Sequence, residues 1–112
     1  MSLQFLSQRW EVTTTASGLT VTIAQQELDS NAIWILFDEL YQLALEYGKP
    51  NLLVDFKNVR RLANIGFGKL ITLDKKLRDV DCRLVLSNVN PALYKALQAA
   101  RLTENLLFQE PA

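Results

Sequence analysis

The sequence has no histidine, one cysteine, and twelve basic residues balanced by twelve acidic ones among its 112 residues. Each scarcity removes a class of function. Without histidine, and with only Cys82 as a thiol, no zinc ligand set can be assembled, and general-base catalysis loses its commonest group. A lone cysteine cannot pair within the chain, so nothing asks for an oxidising compartment. Cys82 heads an apolar run and reads as a buried structural thiol. The charge balance removes the basic footprint of a protein that tracks a nucleic-acid backbone, and the expected partners are proteins. No apolar run reaches the roughly eighteen residues that a membrane helix needs, and no basic stretch followed by an apolar one marks a secretory leader. The expectation is a cytoplasmic chain with no cofactor and no direct membrane insertion.

The length fits one domain, 1–112 with a core over about 10–108, which buries roughly two thirds of the surface its unfolded chain exposes. Residues 1–9 carry Leu3, Phe5 and Leu6 and are too short a stretch to assign. Trp10 to Thr15 is rich in aromatic and β-branched residues, Ala16-Ser17-Gly18 supplies a turn, and Leu19-Thr20-Val21-Thr22-Ile23 alternates apolar and polar, so a β-hairpin with one wet face is expected. A polar connection from Gln25 then ends in Asp29-Ser30-Asn31, three capping types, and a helix should begin there. Ile33, Leu36, Phe37, Leu40, Leu43, Ala44 and Tyr47 fall at the spacing of one buried face, and Gly48-Lys49-Pro50 stops the helix. A second stripe on the same helix, Trp34, Tyr41 and Leu45, lies about 120° around from the first. One sheet cannot cover both. Either a neighbouring element covers this stripe or it is a partner or self-association surface.

Leu52-Leu53-Val54-Asp55-Phe56 has the length of a buried strand. After a loop, a second helix follows, with Phe67, Leu70, Ile71, Leu73 and Leu77 inward and Lys69, Lys75, Lys76 and Arg78 on a wet face among Asp74, Asp79 and Asp81. Cys82 to Leu86 reads as another buried strand. Asn90 and Pro91 open a third helix, with Leu93, Tyr94, Leu97 and Ala100 inward, and Leu102 to Phe108 closes the chain as a short strand or helix. Strand, helix and strand thus occur twice in succession, which predicts parallel neighbours and right-handed crossovers. The fold expected is α/β, a mixed sheet of four to five strands with an N-terminal hairpin and three to four helices.

Between the strand and the second helix lies Leu62-Ala63-Asn64-Ile65-Gly66-Phe67-Gly68. Asn64 is a capping type ahead of two glycines, and backbone without side chains can be approached closely. The strand aspartate Asp55 and the pattern Val59, Leu62, Gly66, Phe67, Gly68 and Leu70 resemble the STAS domain family of anti-sigma factor antagonists. In that family the loop ends in an aspartate and two hydroxyl residues, the second phosphorylated by a partner kinase. Here Ala63, Asn64 and Ile65 take those three places, so the resemblance implies a degenerate phosphosite at Ile65. It also places Leu28-Asp29 where the family has an aspartate near the loop, although capping explains Asp29 equally well.

The resemblance implies a non-enzymatic interaction module that docks on a kinase-type anti-sigma factor through Arg61, Asn64, Ile65, Gly66, Phe67, Gly68 and Asp29. Two rival roles stand beside it: an accessory subunit of a lipid or anion transporter, and a self-assembling module that uses Trp34, Tyr41 and Leu45. A P-loop is excluded, because Lys69-Leu70 follows Gly68 without the required hydroxyl. Asp55 has no histidine, no convincing serine nucleophile and no second carboxylate of assigned geometry to form a catalytic set with. Arg60-Arg61 is either a solvated pair or a contact to an acidic partner. Ser30, Thr72 and Ser87 are the substitute hydroxyls for a phosphate switch.

Overall fold

The computed structural model describes residues 4–6, 9–15 and 18–109. The chain runs β1 (Gln4–Leu6), β2 (Trp10–Thr14), β3 (Leu19–Ile23), β4 (Glu27–Leu28), α1 (Ser30–Tyr47), β5 (Asn51–Asp55), β6 (Arg61–Leu62), α2 (Ile65–Arg78), β7 (Arg83–Ser87), α3 (Pro91–Ala99) and β8 (Leu107–Gln109). The main sheet has the order β1-β2-β3-β5-β7-β8. Its first three strands are antiparallel, as the hairpin reading requires. β3–β5, β5–β7 and β7–β8 are parallel, as the two crossovers require. β1 comes from the stretch that the sequence left unassigned. In the hairpin turn, Ala16 and Ser17 lie outside the described residues, while the Thr15 N–H donates to the Gly18 carbonyl at 2.9 Å.

Register decides what the two faces carry. Val12, Val21, Val54, Leu86 and Phe108 form one cross-strand row, and with Leu19, Ile23, Leu52 and Leu84 they face the helices. The opposite face carries Thr13, Thr20, Leu53, Val85 and Leu107 in the next row. Ile33, Leu36 and Leu40 of α1, Leu70 and Leu77 of α2, and Leu93 and Leu97 of α3 close the core. The expected inner faces of α1 and α2 are therefore correct, with Tyr47, Phe67 and Ile71 only half-buried.

Three readings are corrected. Tyr94 and Ala100 do not line the inner face of α3: Tyr94 is exposed at the rim, edge-on to Phe108 with centroids 5.2 Å apart, and Ala100 lies beyond the last helical residue. Leu97 already fills the core contact one turn from each. Asp74 and Arg78 are not both on a wet face. Asp74 is buried and takes an ion pair of 3.1 Å from Arg78 one turn later, because its position on α2 lies beside Leu70, Leu73 and Leu77. Finally, the connection from Gln25 is not merely polar linker. Glu27 and Leu28 pair in parallel with Arg61 and Leu62, and Leu28 is buried.

Helix ends follow local chemistry. Asp29 Oδ1 accepts from the Ala32 N–H at 2.8 Å, and Gly48 takes φ 58° and donates to the Ala44 carbonyl. Asn90 Oδ1 accepts from the Leu93 N–H at 2.8 Å, with Pro91 in the first turn. Lys75, Lys76 and Arg78 occupy the last turn of α2, where cations complement the helix dipole.

Candidate functional site

The loop from Phe56 to Asn64 is pinned from three sides. At its start the Phe56 N–H donates to the Ser87 carbonyl, and the Val59 N–H returns to Phe56 in a tight turn. In its middle, the Arg60 and Arg61 N–H groups both donate to the Gln26 carbonyl, at 2.7 and 3.2 Å, and Ala63 donates to Leu28 at 2.9 Å. Asparagine amides fix the rest: Asn58 Nδ2 donates to the Ile23 carbonyl, Asn90 Nδ2 to the Val59 carbonyl, and Asn88 Nδ2 to Asp55 Oδ1. Each amide spans more than thirty residues of chain. A loop so tied presents its tip in one position, as a docking surface needs.

Asp55 is thereby accounted for. Its Oδ1 accepts from Asn88 Nδ2 and from the Lys57 N–H, so the carboxylate organises the strand ends. Ser87, one of the substitute hydroxyls, is buried and out of reach, whereas Ser30 and Thr72 are exposed. The Thr72 hydroxyl donates back to the Gly68 carbonyl at 3.1 Å.

At the start of α2 the structure departs from the sequence reading. Asn64 sits at the cap position but has helical dihedrals, and its side chain makes no cap hydrogen bond. The first turn instead closes on backbone: Gly66 donates to Ala63 at 2.8 Å and Phe67 to Asn64 at 3.1 Å. With those groups satisfied, the Asn64 side chain is free to face solvent. Nor does Gly66 offer backbone to a visitor. It is buried, and a Cβ there would stand 2.6 Å from Leu62 Cγ and Cδ1. Gly68 is the open one: it is exposed, and an added Cβ would meet nothing within 4 Å.

The exposed surface at this junction is therefore Asn64, Ile65 and Gly68, with Phe67 half-buried beneath. Ile65 is 37% exposed, the least of the seven exposed large apolar side chains among the described residues, and stands at the start of α2. Arg60 and Arg61 flank it in solvent, Arg61 within 3.9 Å of the exposed Glu27 carboxylate. The parallel bridge of Leu28 to Leu62 brings Asp29 beside the loop, so the structure joins two segments that are remote in sequence. Asp29 is exposed there while also capping α1.

The second stripe runs on from this junction. α2 lies along α1, with Lys69 Nζ 3.3 Å from the centre of the Trp34 ring and Lys76 Nζ 4.1 Å from that of Tyr41. The neighbouring helix thus covers Tyr41 in part, but Trp34 stays 55% exposed and Leu45 44%. These contacts escaped sequence reading. Their one signal is a matched spacing, since Trp34 to Tyr41 and Lys69 to Lys76 are both seven residues.

Away from the junction, Glu39 and Cys82 are among the groups shifted from their ordinary pKa values. Hydrogen bonds from Arg9, and secondarily from Trp10, hold the Glu39 carboxyl below the usual range against the opposing effect of burial. Burial pushes the Cys82 thiol up, as expected of a structural cysteine. Among the described residues no helix is long and apolar enough to cross a membrane.

An antiparallel hairpin leading into parallel crossovers, with a pinned loop entering the second helix, places the chain in the STAS class. More particularly, the family described as "Mlab, STAS domain" matches residues 12–109, and the chain belongs to it. Solved structures agree on the fold. An anti-sigma-factor antagonist (STAS) domain protein from Planctomyces limnophilus aligns with a TM-score of 0.78 at 17% identity, covering 93% of this chain and 92% of that one. An anti-sigma factor antagonist from Mycobacterium paratuberculosis aligns at 0.75 and 16% identity, over 100% and 87% of the two chains. The murine Solute Carrier 26 family member A9 anion transporter aligns at 0.67 and 17% identity, over 81% of this chain and 15% of the transporter. No curated protein matches the chain in sequence.

Proposed function

We propose that this chain is a non-enzymatic docking module whose contact surface is Asn64, Ile65 and Gly68, flanked by Arg61 and Asp29, and that its partner is a kinase-type anti-sigma factor or a related signalling ATPase. The observation that carries this reading is the exposure of Ile65 in the first turn of α2, on a loop anchored by backbone and asparagine hydrogen bonds. A phosphate at that place would add nearly two negative charges and change which surfaces can approach. Isoleucine instead presents a constant apolar knob. Binding at this surface is then independent of phosphate, in contrast to the switching members of the family.

The test is affinity capture from a native extract of the source cell, with and without ATP, comparing the wild type with Ile65→Glu. A kinase-like ATPase recovered by the wild type and lost by the variant supports the reading. Equal capture by both forms sinks it and leaves the loop as scaffold. Recovery of a transporter subunit moves the function to the second reading, an accessory subunit of a lipid or anion transporter. That alternative is kept by the anion transporter among the similar structures, whose matching part covers 81% of this chain.

A further inference from the structure

α1 and α2 run in the same direction, because each leads back from the end of one parallel strand to the start of the next. Their contact has a repeat: Lys69 stands over Trp34, and seven residues on, Lys76 stands over Tyr41. Seven residues are about 10 Å along a helix, so the two ammonium groups mark points two turns apart on one rim. Between them lies a groove of about 140 Å³, with Thr72 on the α2 side and Asp38 on the α1 side. That is about the space that accepts one aromatic ring or branched side chain, and far too little for a whole helix.

The groove is apolar below and cationic above. Phe37 and Leu73 form its base, and the Thr72 hydroxyl is occupied by the Gly68 carbonyl of its own helix. Neither Lys69 nor Lys76 is paired to a carboxylate among the described residues, so two cations face the single carboxylate of Asp38. Stacked on aromatic faces, these ammonium groups are held at the rim and not dispersed in solvent. Trp34 at one end is more than half exposed, as interface anchors are before they are covered.

We propose that an amphipathic helix of the partner protein lies across this groove, inserting one apolar side chain over Thr72 and setting acidic residues at i and i+7 against Lys69 and Lys76. A partner helix laid along α2 repeats its pitch, so carboxylates two turns apart meet both lysines while a residue at i+3 or i+4 points into the gap. The inference rests on the docking reading above, since Gly68 leaves the path from Ile65 to the groove open and one partner would cover both. The two remain separable, because Ile65→Glu reports on the loop and Lys69→Glu/Lys76→Glu on the groove.

The experiment is selection of a displayed library of helical peptides against the full chain, followed by affinity measurement of the selected peptides at low and high salt. Selected sequences are expected to carry acidic residues at i and i+7 around an apolar residue. Their binding should weaken with salt and fall about tenfold or more in Lys69→Glu/Lys76→Glu, as loss and reversal of close charge pairs requires. Thr72→Phe, which fills the gap and leaves both lysines and the net charge unaltered, should abolish it too, and amide shifts should cluster on Trp34, Lys69 and Thr72. Peptides without acidic bias, or a footprint on the Leu53, Val85 and Leu107 face, overturn the proposal. So does a dimer in light scattering that Trp34→Ala dissolves, since a second copy then fills the groove. If the native partner is lost by Ile65→Glu but kept by Lys69→Glu/Lys76→Glu, the groove inference fails and the docking reading stands.

Discussion

Gly66 and Leu62 are packed so closely that a Cβ on residue 66 would stand 2.6 Å from both Leu62 Cγ and Cδ1. The leucine's backbone is paired with Leu28 across β4–β6, so any relief has to come from its side chain. Leu62 therefore fixes both the strand bridge and the entry of α2, and the glycine is the shape that lets it do so.

Gly66→Ala is expected to destabilise the protein by about 1–2 kcal/mol, since overpacking outweighs the helix preference for alanine. Adding Leu62→Ala should relieve that clash, leaving a positive coupling in a double-mutant cycle. Gly68→Ala, with nothing near its added methyl, should stabilise by about 0.5–1 kcal/mol. Urea titrations of the four variants check all of this, and a destabilising Gly68→Ala would show that the site is less open than described.

The two residues ahead of α1 and α2 should behave unlike one another despite similar chemistry. Asp29→Ala removes a hydrogen bond of 2.8 Å to Ala32 and is expected to cost about 1 kcal/mol. Asn64→Ala removes no cap bond and should fall within about 0.5 kcal/mol of the wild type. Thermal melts at matched pH distinguish them, and equal costs would mean that Asn64 caps after all.

Glu39 accepts from Arg9 at 2.8 and 2.7 Å and from the Trp10 indole at 3.1 Å, fastening the start of β2 to α1. Its folded pKa is lowered, so the stabilisation is present above the unfolded pKa of a glutamate. It disappears as pH falls through the lowered folded value. Glu39→Gln should flatten the acid side of the stability profile while costing stability near neutrality. An unchanged acid limb in pH-dependent urea unfolding would contradict the assignment.

Asp81 and Arg101 hold φ of 57° and 61° at the ends of α2 and α3, each followed by an N–H that donates back into the helix, Cys82 to Leu77 and Leu102 to Leu97. Non-glycine residues pay strain in that region. Arg101→Gly is expected to stabilise by about 1 kcal/mol, and Asp81→Gly by less, because aspartate tolerates the conformation better. Calorimetric midpoints provide the check, and a lower midpoint for Arg101→Gly would mean its side chain contributes a contact of its own.

Much of this was legible from residue order alone. Apolar spacing marked the inner faces of α1 and α2, and the alternation of Leu19 to Ile23 fixed which side of β3 is buried, because a periodicity of 3.6 or 2 is a local property of the chain. Asp29, Gly48 and Asn90 act on neighbours three or four residues away, so their capping roles could be read in advance. The glycine pattern around Phe67 likewise pointed to the family.

What tertiary structure decided depends on segments far apart in sequence. Gly66 looked open until Leu62 was folded over it, and Asn64 looked like a cap until Ala63 and Asn64 carbonyls took the first turn's N–H groups. The buried setting of Asp74 depends on packing around α2, and that of Leu28 on its bridge to Leu62. The lysines over Trp34 and Tyr41 arise only because two crossover helices are laid side by side at matching height. Local pattern sets which face of an element is apolar; which partner that face meets, and which groups are left exposed, is set by the packing of elements that the sequence holds apart.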